Sequence, residues 1–339
     1  MKKRFAAMLV SAFLLSALIL VGYQSITRPR VLVLHSYDAK FIWVQGLDAS
    51  IRKSLKGLQR PLLTHVHYMN LRGAPGRQFE ETAAASAKRA IASFQPDVLV
   101  VFDDISARLV TPELLNRPDI KIVFAGIDET LEYHGFDKAN NVAGVLERIP
   151  VSALKDAVTH LGKGRALTVA CIGDARDVAV AEAAEIAAFD WKPHKLLPCE
   201  QVKSFPEWKK AIDRFNRVAD VVFVSGYRGL SRDVGSGSTV PPAEVGKWTE
   251  ENSKALPMAS KVTFVADGGA IAITPSPQEH GTLAARLTGR LLNGERADLI
   301  PVIMGKDFVV SVSTERLQRR GYDLPPVYEA AARAAGALY

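Results

Sequence analysis

The sequence predicts an α/β protein made of two doubly wound parallel-sheet lobes joined by a hinge. Three observations carry that expectation. From residue 30 onward, short β-branched runs alternate with longer amphipathic stretches, the pattern of strand–helix–strand crossovers. Several runs are apolar at consecutive positions, which suits strands covered on both faces. The pattern then restarts near Pro150, and 339 residues are enough for two domains of ordinary size. A single parallel sheet of about nine strands would sit near the upper limit for open sheets, so two lobes of about four or five strands each are expected.

The elements follow in order. Residues 30–34 (RVLVL) form the first strand, and 44–55 a helix with Leu47, Ile51 and Leu55 on one face. A second strand over 62–68 leads into a helix over 77–94. Residues 97–102 (DVLVVF) and 120–125 (IKIVFA) are the third and fourth strands, and 141–146 is a shorter fifth. After the restart, strands are expected at 167–172, 195–201, 220–225 and 261–266 (KVTFVA). Helices are expected between them at 178–189, 206–218 and 242–256, and a long helix at 279–292.

Composition narrows the function. Apolar residues make up 48% and charged residues 23%, which excludes a disordered chain and a multi-span membrane protein. The net charge is +7, and Lys2, Lys3 and Arg4 account for three of the excess positive charges. No other basic tract follows, so no nucleic-acid partner is expected. Those three cations precede an apolar run over 5–22, broken only by Ser11 and Ser16, the pattern of an export signal. No small-x-small site closes the run, so residues 1–27 read equally as a signal peptide or an uncleaved membrane anchor. Either way the rest of the chain is expected to be periplasmic or extracytoplasmic, free or anchored to the inner membrane.

In open parallel sheets, ligands meet the loops beyond the carboxyl ends of the strands. In the first lobe those loops offer Ser36, Tyr37, Asp103, Asp104, Gly126, Asp128 and Glu147 as candidate ligand contacts. In the second they offer Asp174, Tyr227, Arg228 and Asp267. The carboxylates suit an amine-bearing or polyhydroxylated solute, Tyr37 and Tyr227 could pack a ring, and Arg228 could take a carboxylate. The competing reading of Asp103, Asp104 and Asp174 is that they cap helices.

VLVLHSYDAKFIW, VFAGIDE and NVAGVLERIPVSALKDAV resemble the extracytoplasmic solute-binding family of ABC-type uptake systems. So do DGGAIAITPSPQEHGTLAARLTGRLLNGERADLIPV and FVVSVSTERLQRRGYDLPP nearer the C-terminus. The resemblance spans about residues 30–326. It implies a type I periplasmic-binding-protein-like fold: a clamp with three crossovers that closes on one small molecule in an interlobe cleft, as a partner of an ABC permease. By motif it carries over Asp128, Glu147 and the Gly268–Gly269 pair. It departs at Ser225-Gly226-Tyr227-Arg228, where relatives often show an Asp-Asn pair, and that leaves the ligand open. The lobes are then expected at 28–147 with about 272–305, and at 148–271 with about 306–325, leaving 326–339 as a tail. The same module also resembles the sensing portions of some signalling proteins, so a membrane-tethered ligand sensor is the alternative function.

No Gly-x-Gly-x-x-Gly follows the first strand, no Gly-x-Ser-x-Gly elbow appears, and the 229–238 loop lacks the order of a phosphate-binding loop. No enzyme activity and no cofactor are therefore expected. His65 and His67 face one way on a strand but have no nearby third ligand, so no metal is expected either. Cys171 and Cys199 fall on neighbouring strands. An oxidising compartment permits a bond between them, but two free buried thiols are the expectation, because cross-strand geometry is often poor.

Overall fold

The β-branched runs become strands where they can be covered on both faces. The computed structural model describes residues 13–16, 28–71, 77–235 and 237–339. Apart from residues 13–16, the expected signal peptide or anchor over 1–27 lies outside the described residues, as does Ser236 of the 229–238 loop. The first sheet contains β1 (Arg30–His35), β2 (Leu63–Tyr68), β3 (Val98–Phe102), β4 (Lys121–Ile127), β5 (Val142–Leu146) and the short β11 (Ile303–Met304). Its order is β11-β5-β4-β3-β1-β2. The second contains β6 (Thr168–Asp174), β7 (Lys195–Val202), β8 (Val221–Val224), β9 (Leu256–Ala259), β10 (Ile271–Pro275) and β12 (Phe308–Val312). Its order is β12-β10-β9-β8-β6-β7, with β12 antiparallel to β10. Both sheets thus begin 2-1-3-4-5, the doubly wound order whose direction reverses between the first and third strands. The fold is of the two-sheet, type I periplasmic-binding-protein kind.

The chain divides into two compact units. One comprises residues 28–125 with Leu131–Gly144 and Gly281–Val302, and the other Gly126–Thr130, Val145–His280 and Ile303–Tyr339. In the second unit the alternation along each strand is explicit. Val169, Cys171, Val221 and Phe223 join one core, while Ala170, Ile172, Val222 and Val224 join another. The first core is closed by α5 (Val151–Gly162), α6 (Asp177–Ala188) and α11 (Thr314–Arg319). The second is closed by α7 (Phe205–Phe215) and α8 (Pro242–Asn252). α7 shows why its sequence folds as it does. Phe205, Trp208, Ala211, Ile212 and Phe215 make one buried stripe, and Ser204 with Glu207 forms a reciprocal capping box.

In the first unit, α1 (Ile42–Lys56), α2 (Arg77–Phe94) and α10 (Pro277–Leu292, whose first four residues belong to the second unit) match the expected helices to within a few residues. Two shorter helices, α3 (Asp104–Val110) and α4 (Leu131–His134), escaped the periodicity because neither is long enough to display it.

Three expectations are corrected. The run 261–266 is not a strand: it carries the short helix α9 (Thr263–Ala266). The fourth strand of the second sheet is instead β9, pairing Leu256 with Val221 and Ala259 with Val224, and α8 stops at Asn252 rather than running to 256. A β-branched run is a strand only if it reaches a sheet, and 256–259 occupies that place. Second, Cys171 and Cys199 are disulfide-bonded, with Cα atoms 4.5 Å apart. The register between β6 and β7 shifts between Val169 and Cys171, which sets the two cysteines directly opposite each other. Without that shift Cys171 would face Pro198, a residue with no N–H for the ladder. Third, residues 326–339 are more than a tail. They form α12 (Pro326–Ala334), and the Ala337 carbonyl and Tyr339 N–H bond both sides of Val312, covering the outer edge of β12.

Candidate functional site

The two points of strand reversal place the sequence-predicted residues in separate groups. At the first, Ser36 follows β1 and is fully buried. Its Oγ donates to the Phe102 carbonyl (3.1 Å) and accepts the Ser106 N–H (2.9 Å), stitching β1 to the turn between β3 and α3. Asp103 holds a left-handed backbone (φ 73°) at the start of α3, and its side chain makes no capping bond there. Asp104 is 2.8 Å from His134 Nε2, so it too is engaged elsewhere than in capping. Tyr37 packs edge-on against Phe41, ring centres 5.4 Å apart. Beside them His35 stacks between Tyr68 and Phe102 and bonds Asp48 at 2.9 Å. Burial works to raise the Asp48 carboxyl, but hydrogen bonds from His35 and Tyr68 outweigh it and hold the group below its ordinary value.

At the second reversal point Asp174 is fully buried and saturated. It accepts from the Arg176 N–H and guanidinium and from the Gly229 N–H (2.7 Å), so it pins the loop after β8 to the start of α6. Arg176, not Asp174, occupies the cap position of α6, which overturns the capping alternative for this residue. Gly173 and Gly226 make this junction possible, since a Cβ would lie 2.3 Å from Ser225 Oγ in one case and 2.6 Å from Ala179 in the other. Tyr227, Arg228 and Asp267 converge. The Tyr227 hydroxyl donates to Asp267 Oδ2 at 2.6 Å, and Arg228 Nη2 reaches the same oxygen at 2.5 Å. Tyr227 is 2% exposed, and burial pushes its phenol well up. Its ring is therefore packed edge-on against Phe264 within the core, not displayed for stacking.

Asp128 and Glu147 meet in a third group. Gly126, near the end of β4, takes a positive φ (67°) two residues before Asp128, and Glu147 follows β5, tied back by its N–H to the Ile127 carbonyl (2.8 Å). Between them stands a lysine. Lys261 Nζ is 3.8 Å from Asp128 Oδ2, 3.8 Å from Glu147 Oε1 and 2.5 Å from Glu182 Oε1. Burial works against the Lys261 charge, but Asp128, Glu182 and Glu147 together hold it well above the usual lysine range. Burial also raises Glu182 to about 7, against the pull of Lys261. Neither Lys261 nor Glu182 was picked out from the sequence. Lys261 was hidden in the expected strand over 261–266. Glu182 left a usable signal: it shares the face of Ala179, Ala183 and Ile186 on α6, where a charged residue can be buried only with a partner.

Among the described residues, no cluster of three or more His, Cys, Asp or Glu side chains is arranged to hold a metal ion. No helix among them is long and apolar enough to cross a membrane. No family model and no curated protein matches the chain by sequence. Solved structures do resemble it. An ABC domain from Streptococcus pneumonia in complex with L-Trp superposes with a TM-score of 0.63 at 15% identity, over 92% of this chain and all of that one. The ligand-free, open form of a substrate-binding protein with adhesive properties from Clostridium difficile gives 0.63 at 17%, over 88% and 96%. A periplasmic ribose ABC transporter structure from Conexibacter woesei gives 0.56 at 15%, over 91% and 98%.

Proposed function

We propose that this chain is an extracytoplasmic solute-binding protein. It captures a small polar organic molecule, amino-acid-like or sugar-like, and delivers it unchanged to the permease of an ABC-type uptake system. The observation that carries this reading is the collection of charged and hydroxylic side chains at the carboxyl ends of both sheets, on a fold shared with proteins that bind tryptophan and ribose. The group around Lys261 supplies carboxylates that accept from an ammonium or hydroxyl, with an ammonium among them that donates to a carboxylate or hydroxyl. Such a mixture favours an amphoteric or polyhydroxylated solute over a dianion, which would face like charges. Binding requires no bond to be broken, so no catalytic residue and no cofactor enter the reading.

Equilibrium dialysis against panels of amino acids and sugars tests it. Saturable uptake of a member of either class is expected, and silence across both panels overturns the proposal. The second reading, a membrane-tethered sensor, is favoured by the absence of a cleavage site after the apolar run over 5–22. A mass spectrum of the mature protein separates the two: a start near Gln24 fits a free carrier, and a retained N-terminus fits a tether.

A further inference from the structure

The group around Lys261 is lopsided. Its tightest contact, at 2.5 Å, is with Glu182 of α6, whereas Asp128 and Glu147, from the loops after β4 and β5, each stand at 3.8 Å. Glu182 is also the most deeply buried of the three acids, with 3% of its side chain exposed against 8% for Glu147 and 19% for Asp128. The acid that grips the lysine most closely is therefore the one for which the charged form is most penalised. Burial raises its carboxyl to about 7, Lys261 opposes that rise and the Asp128 charge adds to it. Lys261 itself stays charged throughout this range.

We propose that Lys261 is a proton-driven two-position cation, held on α6 while Glu182 is ionised and drawn to Asp128 and Glu147 when Glu182 takes up a proton. Protonation removes the negative charge from the Glu182 end and leaves the ammonium donating to a neutral carboxyl, so the balance of attraction on Lys261 shifts toward the carboxylates of Asp128 and Glu147. The surroundings contain the parts for such a transfer. Ser260 Oγ donates to Glu182 Oε2 at 2.6 Å and keeps the carboxyl oriented in either state. From the same helix Glu185 faces the group, but Arg148 pairs with it at 3.5 Å and also donates to the Asp128 carbonyl at 2.9 Å. The charged groups around Glu182 are thus Lys261, Asp128, Glu147, Glu185 and Arg148. One consequence rests on the solute-binding reading: with Lys261 drawn over, one of the two negative charges on Asp128 and Glu147 is offset, and the loops become less receptive to a solute ammonium as pH falls. The movement of Lys261 does not depend on that reading.

The test needs no solute. In the full chain labelled with carbon-13 glutamate and lysine, NMR spectra are recorded from about pH 5.5 to about pH 8.5, on both sides of the raised Glu182 value of about 7. The Glu182 carboxyl carbon is expected to titrate with a midpoint near 7, and the Lys261 ε-methylene to shift with the same midpoint. Glu182→Gln should abolish the Lys261 step. Asp128→Asn keeps Glu182 and should lower its midpoint, because the Asp128 charge is one cause of the rise. A Lys261 signal that stays flat in the wild type, or that keeps its step in Glu182→Gln, overturns the proposal. If Glu182→Gln does not fold, an unmoved midpoint in Asp128→Asn does the same. A flat Lys261 signal would leave the solute reading standing, and a silent solute panel would leave this one standing.

Discussion

Single residues at the strand ends divide into those the fold consumes and those it leaves for chemistry. Asp174 belongs to the first kind, with its lone pairs taken by Arg176 and Gly229. Arg176 is half exposed and can return to water, but deleting Asp174 leaves the Arg176 and Gly229 N–H donors without this acceptor, at about 1–3 kcal/mol for each left unsatisfied. Asp174→Ala is therefore expected to lower the unfolding midpoint in urea by a large margin, and an unchanged midpoint would return this residue to the solute contacts. Glu182 makes a second, opposite kind of prediction. Its folded value of about 7 lies above the ordinary 4.5, so between those values the native state holds a proton that the unfolded chain has released. Stability from this group is present in full below about pH 4.5 and is lost as pH rises through 7. Urea denaturation at the two ends of that window should show a loss on raising the pH that is smaller in Glu182→Gln. The sequence displays residues such as Asp128 and Glu147 because they follow apolar runs directly. It conceals Lys261, because a lysine beside a β-branched run looks like the flank of a strand.

At the scale of elements, the helices are the most legible, because their buried faces repeat every three or four residues. α2 falls where the sequence places it, and α7 is announced by Ser204, Glu207 and a stripe ending at Phe215. Ser204→Ala removes the capping hydroxyl and should cost about 1 kcal/mol in equilibrium unfolding, with the secondary structure retained. Strands are harder to read. β9 is only four residues long and contains Pro257, so local propensity favours the β-branched run just after it, yet β9 is the segment that pairs with β8. The β6–β7 pair carries the disulfide, which closes a loop with a sequence separation of 28. Chain-entropy reasoning gives about 3–4 kcal/mol for a loop of that size. Cys171→Ala with Cys199→Ala should lower the unfolding free energy by that much, seen as a lower urea midpoint, and the wild type under reducing conditions should approach the double variant. Equal midpoints in all of these states would mean that the bond does not form in solution.

For the whole molecule, the proposed function makes a thermodynamic demand. A solute that binds only the native chain stabilises it by about 2.7 kcal/mol when present at one hundred times its dissociation constant. The melting temperature should therefore rise with the concentration of the captured solute and stay level for its non-binding analogues. A rise with every amino acid and sugar tried would indicate non-specific stabilisation and count against a solute-binding site. The alternation of runs and stripes along the chain by itself determined two doubly wound sheets and the loops at which their polar residues gather, because strand and helix periodicities are local properties. Only the tertiary structure decided that Cys171 meets Cys199, that Asp174 is spent on the fold, and that Lys261 stands among Asp128, Glu147 and Glu182. Those outcomes depend on a one-residue register shift and on burial between segments far apart in the chain, and neither leaves a period in the sequence.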